Sequence, residues 1–364
     1  MKFSSLILAL LLYCLLAPSS FALDNEEKDA LSDMLAAWPY LNAANGGPWN
    51  VSQIDQICAP PSPVSTWYGL SCDGNGHVDL LFFDVLLNGT IPNSIGRFYR
   101  LVQLSARSLS LVGTIPANLG NLTLLTELDL SGNRLEGSLP SSMNAMENLD
   151  LIDLSNNLNL NGSFPSFSGW AAVSEINLAN NRFSGSIPPI STLYQELNIL
   201  NLRSNQFTGN MPSYSSMANL QTLDITGNQL NGTLPAIGGT VESLLAGSNQ
   251  FTAVPFSFMT GSTAVTIELN NNKFGSTSGI GSLMFDSNTH LESLRLDGNA
   301  LAGSIPAFTG TTHLTSVLLN NNSFTGSIPA SYVALTSLVT LDVSNNKLTG
   351  SVPALTATSL VSIA

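Results

Sequence analysis

One pattern of apolar and polar positions recurs along this chain from about Leu101 to Pro353. Its clearest copy is the segment Leu125 to Pro140, LTELDLSGNRLEGSLP. The alternation around Asp129 predicts a short β-strand in which Leu128 and Leu130 face a core and Asp129 faces outward. Each copy then ends in an Asn, a Gly and a Pro, which predict a turn that stops the strand.

A fixed Asn marks the period of the pattern, and consecutive copies lie 21 to 27 residues apart. The marker residues are Asn133, Asn157, Asn181, Asn205, Asn228, Asn249, Asn272, Asn299, Asn322 and Asn346. A repeat of this length indicates a solenoid, because one strand buries little alone and stacked units share a continuous core. Since an amide both donates and accepts, we expect this Asn column to satisfy backbone groups inside the turns.

The full pattern L-x-x-L-x-L-x-x-N-x-L-x-G-x-I-P resembles the leucine-rich repeat family, and its G-x-I-P half resembles the plant-type subclass of extracellular receptors and inhibitors. The resemblance implies an α/β fold, a right-handed curved solenoid with one parallel β-sheet on its concave face and an N-terminal cap of helix and disulfide. Curvature is expected because strands lie about 4.8 Å apart, whereas the outer loops need more room.

Three segments are predicted along the chain. Residues 1–22, with Lys2 before an apolar run and Ser20 to Ala22 at its end, predict a cleaved signal peptide. An uncleaved anchor is the alternative, although the run is shorter than the roughly 20 residues of a membrane span. Residues 23–77 predict the cap, and residues 78–364 predict about twelve repeats without an apparent C-terminal cap.

The cap begins with a predicted helix from Asp24 or Asn25 to about Leu41, whose apolar face comprises Leu31, Met34, Leu35 and Trp38. The segment Trp67 to Asp73 then resembles the W-x-G-V-x-C-D cap motif of plant-type leucine-rich repeat proteins. An insert at residues 59–63 departs from that motif. Asp73 to Gly76 predicts a tight turn into the first strand.

Several repeats depart from the consensus. The first two place Val85 and Leu109 where the Asn is expected, as terminal repeats often do. Residues 246–290 lose the G-x-I-P ending, which indicates either a drift toward another repeat subclass or a lateral bulge that contacts a partner. Leu360 to Ile363 predicts the start of another strand, and we expect the printed chain to be incomplete, because Leu341 and its neighbours would otherwise lie under an uncovered last repeat.

Two features indicate export. Apart from Cys14 in the predicted signal peptide, the cysteines are Cys58 and Cys72, a pair suited to one disulfide in an oxidising compartment. Six acceptor sequons for N-glycosylation are present, at Asn50, Asn88, Asn121, Asn161, Asn231 and Asn321. The expected location is therefore secreted, or the extracellular face of the plasma membrane or the cell wall.

Charge and motifs exclude several classes. A net charge of −13 with 10% charged residues argues against nucleic-acid binding, and no segment after residue 22 is apolar enough to span a bilayer. Catalytic signatures are missing, so we expect no enzyme, cofactor or metal. His290 and His313 occupy the same position in consecutive repeats and could bind a metal or sense pH; two surface histidines without a function are the favoured interpretation.

The concave face is the candidate binding surface. The outward residues predicted along its central column are Leu81, Ser105, Asp129, Asp153, Asn177, Asn201, Asp224, Leu245, Glu268, Arg295, Leu318 and Asp342. In this column Leu245 and Leu318 flank Glu268 and Arg295, a mixture of apolar and charged residues typical of binding surfaces. The alternative is that these outward positions serve solubility only.

The predicted function is extracellular recognition of a protein, peptide or glycan. The resemblance implies either the ectodomain of a receptor or a soluble binder like the polygalacturonase inhibitors. A structural or adhesive glycoprotein of a wall or coat, without a discrete ligand, is the alternative.

We predict that Cys58 and Cys72 form a disulfide in the secreted protein. Closing a loop of this length stabilises the fold by about 3 kcal/mol on the chain-entropy model. Mass spectrometry of the non-reduced protein measures the pairing, and two free thiols would contradict the prediction.

Overall fold

The computed structural model describes residues 23–38, 57–58, 69–83, 86–236, 239–255, 258, 262–275, 285, 288–355 and 362–363. They fall into two compact units, Met1–Val173 and Ser174–Ala364. The predicted signal peptide, the insert at residues 59–63, and Asn50, Trp67 and Val85 lie outside the described residues.

The first unit begins with helix α1, Asn25–Ala37. Asp24 is its N-cap, and its Oδ1 accepts the Glu27 N–H at 2.8 Å. The helix ends where the Trp38 N–H donates to the Met34 carbonyl. The predicted apolar face is confirmed, because its four residues, Leu31, Met34, Leu35 and Trp38, are all buried.

Trp38 joins the cap to the first repeats of this unit. Its Nε1 donates to the Thr90 carbonyl at 2.8 Å, and its ring meets the edge of Phe83 at a centroid distance of 5.2 Å. The backbone at Gly89 lies so close to the Ala37 carbonyl that a Cβ there would collide with it. Glycine is thus required where the helix end packs against the repeat.

The disulfide and the turn also lie in the cap. Cys58 and Cys72 are joined, with their Cα atoms 5.9 Å apart. Strand Leu70–Cys72 pairs antiparallel with Val78–Phe82. The intervening turn is closed by the Asp73 N–H, which donates to the His77 carbonyl at 2.8 Å, so the turn predicted at Asp73 to Gly76 is confirmed.

The main sheet of each unit is built from short parallel strands, one from each repeat; in the first unit the antiparallel cap strand Leu70–Cys72 also belongs to it. In the first unit, the hairpin strands are followed by Gln103–Ser105, Glu127–Asp129 and Leu151–Asp153. In the second unit the strands are Glu175–Asn177, Ile199–Asn201, Thr222–Asp224, Ser243–Leu245, Thr266–Glu268, Ser293–Arg295, Ser316–Leu318, Thr340–Asp342 and Ser362–Ile363. The last pair of residues extends the sheet beside Thr340–Asp342, as predicted for the start of another strand.

A second set of parallel strands lies at the G-x-I-P side of the repeats, where a single sheet had been predicted. In the first unit they are Val112–Thr114, Arg134–Ser138 and Asn159–Gly162. In the second unit they are Arg182–Gly185, Gln206–Asn210, Gln229–Thr233 and Gln250–Ala253, and further along Ala302–Gly303, Ser323–Gly326 and Lys347–Leu348. Gly137 has φ +79° within such a strand, a conformation that side chains disfavour. Each of the longer strands carries one buried apolar residue, such as Leu135 or Phe207, among polar and glycine positions, and the strands pair because the repeats stack.

Short helical turns follow several of the prolines in the repeats. The 3₁₀ turns are Asn93–Arg97, Ala117–Asn121, Ser141–Ala145, Ser168–Trp170 and Ala330–Ala334, and a four-residue α-helix, α2, spans Ile190–Leu193. Proline has no N–H for a further strand pair, and its fixed φ suits the start of a turn.

The register of strand Val78–Phe82, in the first repeat, differs from the sequence prediction by one residue. Leu81 was placed on the outward column, but it pairs with Leu104 and is fully buried. Phe82 instead lies beside Ser105 and is 47% exposed. The prediction was wrong because the run from Leu80 to Phe83 is apolar throughout, so it carries no alternation from which to fix the inward face.

The Asn column satisfies the turns as predicted. The Oδ1 of Asn133 accepts the N–H groups of Leu109 and Leu111, both at 3.0 Å. Its Nδ2 donates to the carbonyls of Ala106 at 2.7 Å and Leu130 at 2.8 Å. One buried side chain thereby closes its own turn and that of the preceding repeat.

We predict that Asn205→Ala lowers the free energy of unfolding by about 1–3 kcal/mol, because it leaves buried backbone groups unpaired. In the second unit Asn205 accepts the Phe183 N–H at 3.0 Å and donates to the Leu178 carbonyl at 2.8 Å. The control is Asn210→Ala, since Asn210 is exposed. Chemical denaturation measures both variants, and equal losses would contradict a structural role for the column.

Candidate functional site

The four predicted site residues lie side by side on the main sheet of the second unit. Leu245 pairs with Glu268, Glu268 with Arg295, and Arg295 with Leu318. We call these four residues the central patch. All are partly exposed, and three strand spacings place its two leucines about 14 Å apart.

A charged cluster forms the middle of the central patch. The Arg295 guanidinium donates from Nε and Nη2 to the two carboxylate oxygens of Asp297, at 3.3 and 3.4 Å. Its Nη1 lies 3.9 Å from Glu268 Oε2. Arg295 is thus held between two carboxylates. The sequence pattern identified Glu268 and missed Asp297, which follows the strand in the turn.

Six of the polar residues elsewhere on this column have a structural role. The Asp129 Oδ1 accepts the N–H of the residue two positions later, Ser131, at 2.9 Å. The same bond recurs in both units, with acceptors Asp153, Asn177, Asn201, Asp224 and Asp342. A short Asp or Asn side chain that bonds its own backbone in this way closes a local turn. The polarity of the column therefore has a cause besides solubility.

The four residues of the central patch, in four consecutive repeats, do not make this turn-closing bond. Leu245, Arg295 and Leu318 carry no side-chain acceptor, and the Glu268 carboxylate lies toward Arg295. These side chains therefore do not close the turns that follow them. Their identities need another explanation than local folding.

Two buried polar atoms beside the central patch have no partner among the described residues. They are the Oδ1 of Asn270, a residue 7% exposed, and the Oγ1 of Thr226. The backbone bonds from Gly227 to Gly247 and from Ser248 to Asn270 place Thr226 and Asn270 in the repeats on either side of Gly247. A buried acceptor without a donor costs about 1–3 kcal/mol, so these atoms lower the stability of their turns.

The two histidines make separate local contacts. His313 Nδ1 donates to the Thr289 carbonyl at 2.9 Å, and His290 Nδ1 lies 3.4 Å from Thr289 Oγ1. Both residues are exposed. Neither contact indicates a shared ligand, so the interpretation as surface histidines remains favoured.

Three ionisable side chains, Asp24, Glu27 and His77, lie close together in the cap of the first unit. Burial raises the pKa of the Glu27 carboxyl, while hydrogen bonds from His77 and the Val78 N–H oppose that shift. The sequence pattern missed this group because His77 comes 50 residues after Glu27.

Five predicted glycosylation sites lie within the described residues, and all are exposed: Asn88, Asn121, Asn161, Asn231 and Asn321. Their accessibility is compatible with modification, which stays a prediction. None of the helices in the described ranges has the length and apolar composition needed to cross a bilayer.

The family model described as Leucine Rich Repeat matches residues 124–146, 219–239 and 337–357. No curated protein sequence is significantly similar to the chain. Solved structures do match. The plant peptide hormone receptor RGFR1 in complex with RGF2 has a TM-score of 0.64 and 26% identity, covering 75% of this chain and 48% of the receptor.

The Arabidopsis receptor kinase HAESA, in complex with the peptide hormone IDA and the co-receptor SERK1, has a TM-score of 0.61 and 29% identity, covering 75% of this chain and 51% of that one. The chain thus spans about half the length of these receptor structures. A plant ice-binding protein matches at a TM-score of 0.54 and 23% identity, over 91% of this chain and 89% of its own, which shows a shared fold. Together with the stacked strands, the matches confirm the predicted α/β leucine-rich repeat solenoid.

We predict that the central patch contributes little to folding. Leu245→Asn should leave the free energy of unfolding unchanged or raise it by up to about 1 kcal/mol, because the new side chain can accept the Gly247 N–H. The reciprocal change Asn201→Leu should lower it by about 0.5–1 kcal/mol, because it removes the bond from the Arg203 N–H. Denaturant titrations compare the two, and a loss above about 2 kcal/mol for Leu245→Asn would assign that residue to the core.

Proposed function

We propose that this chain, a plant-type extracellular leucine-rich repeat protein, recognises a protein or peptide partner through the exposed main-sheet face of its second unit. The proposed role is binding rather than catalysis. The central patch, Leu245, Glu268, Arg295 and Leu318, is the proposed centre of the contact.

The observation that carries the proposal is the change of residue type along one column. Asp and Asn close the turns before and after the central patch, at Asp224 and Asp342, whereas the four residues between them have no such role. Because the turn-closing bond is missing from four consecutive repeats, these repeats lose the stabilisation that it provides elsewhere. Selection for contact with a ligand explains that loss.

The patch offers a definite set of contacts to a peptide. Leu245 and Leu318 supply partly exposed apolar surface at its two ends, and the pair of Arg295 and Glu268 supplies polar groups between them. The 14 Å between the leucines corresponds to about four residues of an extended peptide, at about 3.3 Å each.

The structural neighbours support this class of partner. Two of the matching structures are the peptide hormone receptor RGFR1 in complex with RGF2 and HAESA in complex with the peptide hormone IDA. An extracellular location agrees with the disulfide between Cys58 and Cys72. Within this proposal the chain acts either as the binding part of a receptor or as a soluble binder. A wall or coat glycoprotein without a discrete ligand is the competing function.

We predict that Arg295→Glu weakens binding of the partner about tenfold or more, because it breaks a bidentate ion pair inside the contact and places three carboxylates together. Arg203→Glu is the matched control. It makes the same change in net charge, and Arg203 is an exposed residue of the same unit about four strand spacings, roughly 19 Å, from Arg295. It should therefore bind nearly as well as the wild type.

The measurement is affinity capture from the native extracellular fluid, with the recovery of each captured protein, peptide and glycan quantified for the wild type and both variants. Loss of one component with Arg295→Glu alone identifies the partner and supports the proposal. Equal recovery of every component by all three chains would favour the structural glycoprotein instead.

A further inference from the structure

Three possible metal-binding atoms converge in the N-terminal cap of the first unit. They are Asp24 Oδ2, Glu27 Oε2 and His77 Nδ1, all within 4.8 Å of one another. His77 Nδ1 lies 3.1 Å from the Glu27 oxygen and 4.0 Å from the Asp24 oxygen. The carboxylates come from the start of helix α1, and the imidazole immediately precedes strand Val78–Phe82.

The remaining oxygen of each carboxylate is fixed by the backbone. Asp24 Oδ1 accepts the Glu27 N–H at 2.8 Å, and Glu27 Oε1 accepts the Val78 N–H at 3.1 Å. These bonds orient Asp24 Oδ2 and Glu27 Oε2 toward the imidazole. Metal sites commonly fix their ligands through such outer hydrogen bonds, so the arrangement is preorganised.

Burial makes a cation favourable at this point. Glu27 is fully buried, while Asp24 and His77 are partly exposed, which leaves a path from solvent. Two carboxylates face one imidazole, and a buried charge is costly unless it is paired or bound to a metal. Tyr99 also lies at the cluster; its hydroxyl lies 3.1 Å from Asp24 Oδ2 and 3.2 Å from His77 Nδ1.

We propose that Asp24, Glu27 and His77 form a binding site for Zn²⁺. Typical Zn–N and Zn–O bonds of about 2.0–2.2 Å place tetrahedral ligand atoms roughly 3.3 Å apart, so the 3.1 Å contact already matches and the 4.0 Å contact must close by less than 1 Å. An imidazole among the ligands favours zinc over Mg²⁺ or Ca²⁺, which take oxygen ligands. Tyr99 donates to the Asp24 ligand oxygen, and its hydroxyl lies beside both Asp24 and His77 at the edge of the proposed site.

The consequence of binding is a stable cap. Zinc would join the first turn of helix α1 to the start of strand Val78–Phe82 through ligands 50 residues apart in sequence. Because the unfolded chain does not hold these ligands together, binding the folded cap raises the stability of the protein.

Calorimetric titration of the full chain with Zn²⁺, after removal of metal by a chelator, tests the site. We expect one Zn²⁺ per chain and a higher melting temperature with zinc than without it. Asp24→Asn retains a residue that caps helices as well as Asp does, but it removes the anionic ligand; it should weaken Zn²⁺ binding about tenfold or more. His77→Gln should weaken it similarly.

The control is His290→Gln combined with His313→Gln, which removes the exposed histidines of the second unit and should leave the affinity unchanged. Co²⁺ bound to the wild type provides an independent measure, because a tetrahedral site with one nitrogen ligand gives a visible absorption that Asp24→Asn and His77→Gln should abolish. The proposal is wrong if stoichiometric binding is missing, if both cap variants bind like the wild type, or if the control loses the metal.

Discussion

The fold depends on how each repeat satisfies its backbone where the chain turns away from the main sheet. A three-residue strand buries little by itself, and the turn after it would leave carbonyl and N–H groups unpaired inside the protein. The Asn column supplies the missing partners: Asn133 bonds both to its own turn and to the N–H groups of Leu109 and Leu111 in the repeat before it. Because each Asn serves two repeats, no repeat is complete without its successor.

This mutual dependence made most of the fold predictable. A fixed period, alternating leucines and a recurring Asn together determine strand, core face and turn, so the register of Asp129, Asn201 and Arg295 followed from counting. Where the pattern weakens, prediction failed for a physical reason. The apolar run through Leu81 and Phe82 has no alternation, and the second set of strands is created by stacking and leaves little periodic signal of its own.

The candidate sites were predictable only in part. Position on the column was sufficient to find Leu245, Glu268, Arg295 and Leu318, because every repeat places its side chains at known points. Asp297 was not predicted, because its contact with Arg295 depends on side-chain rotamers within a turn. The Asp24, Glu27 and His77 group was equally hidden, since a helix and a strand brought together by the cap share no sequence period.

In the second unit, the inner column of Asn residues and the outward column of the main sheet together explain how the central patch is compatible with folding. Across these repeats the inner Asn residues keep their full set of bonds: Asn272 accepts the Phe251 N–H at 3.0 Å and donates to the Ala246 carbonyl at 2.9 Å. Asn299 does the same with the Phe274 N–H and the Leu269 carbonyl. These repeats lack only the bond between an outward Asp or Asn side chain and the backbone N–H two residues later, which is worth about 0.5–1.5 kcal/mol in each turn. Because the inner column holds the turns, the outer residues are free to vary, and a surface that recognises a partner can develop on this face without loss of the fold.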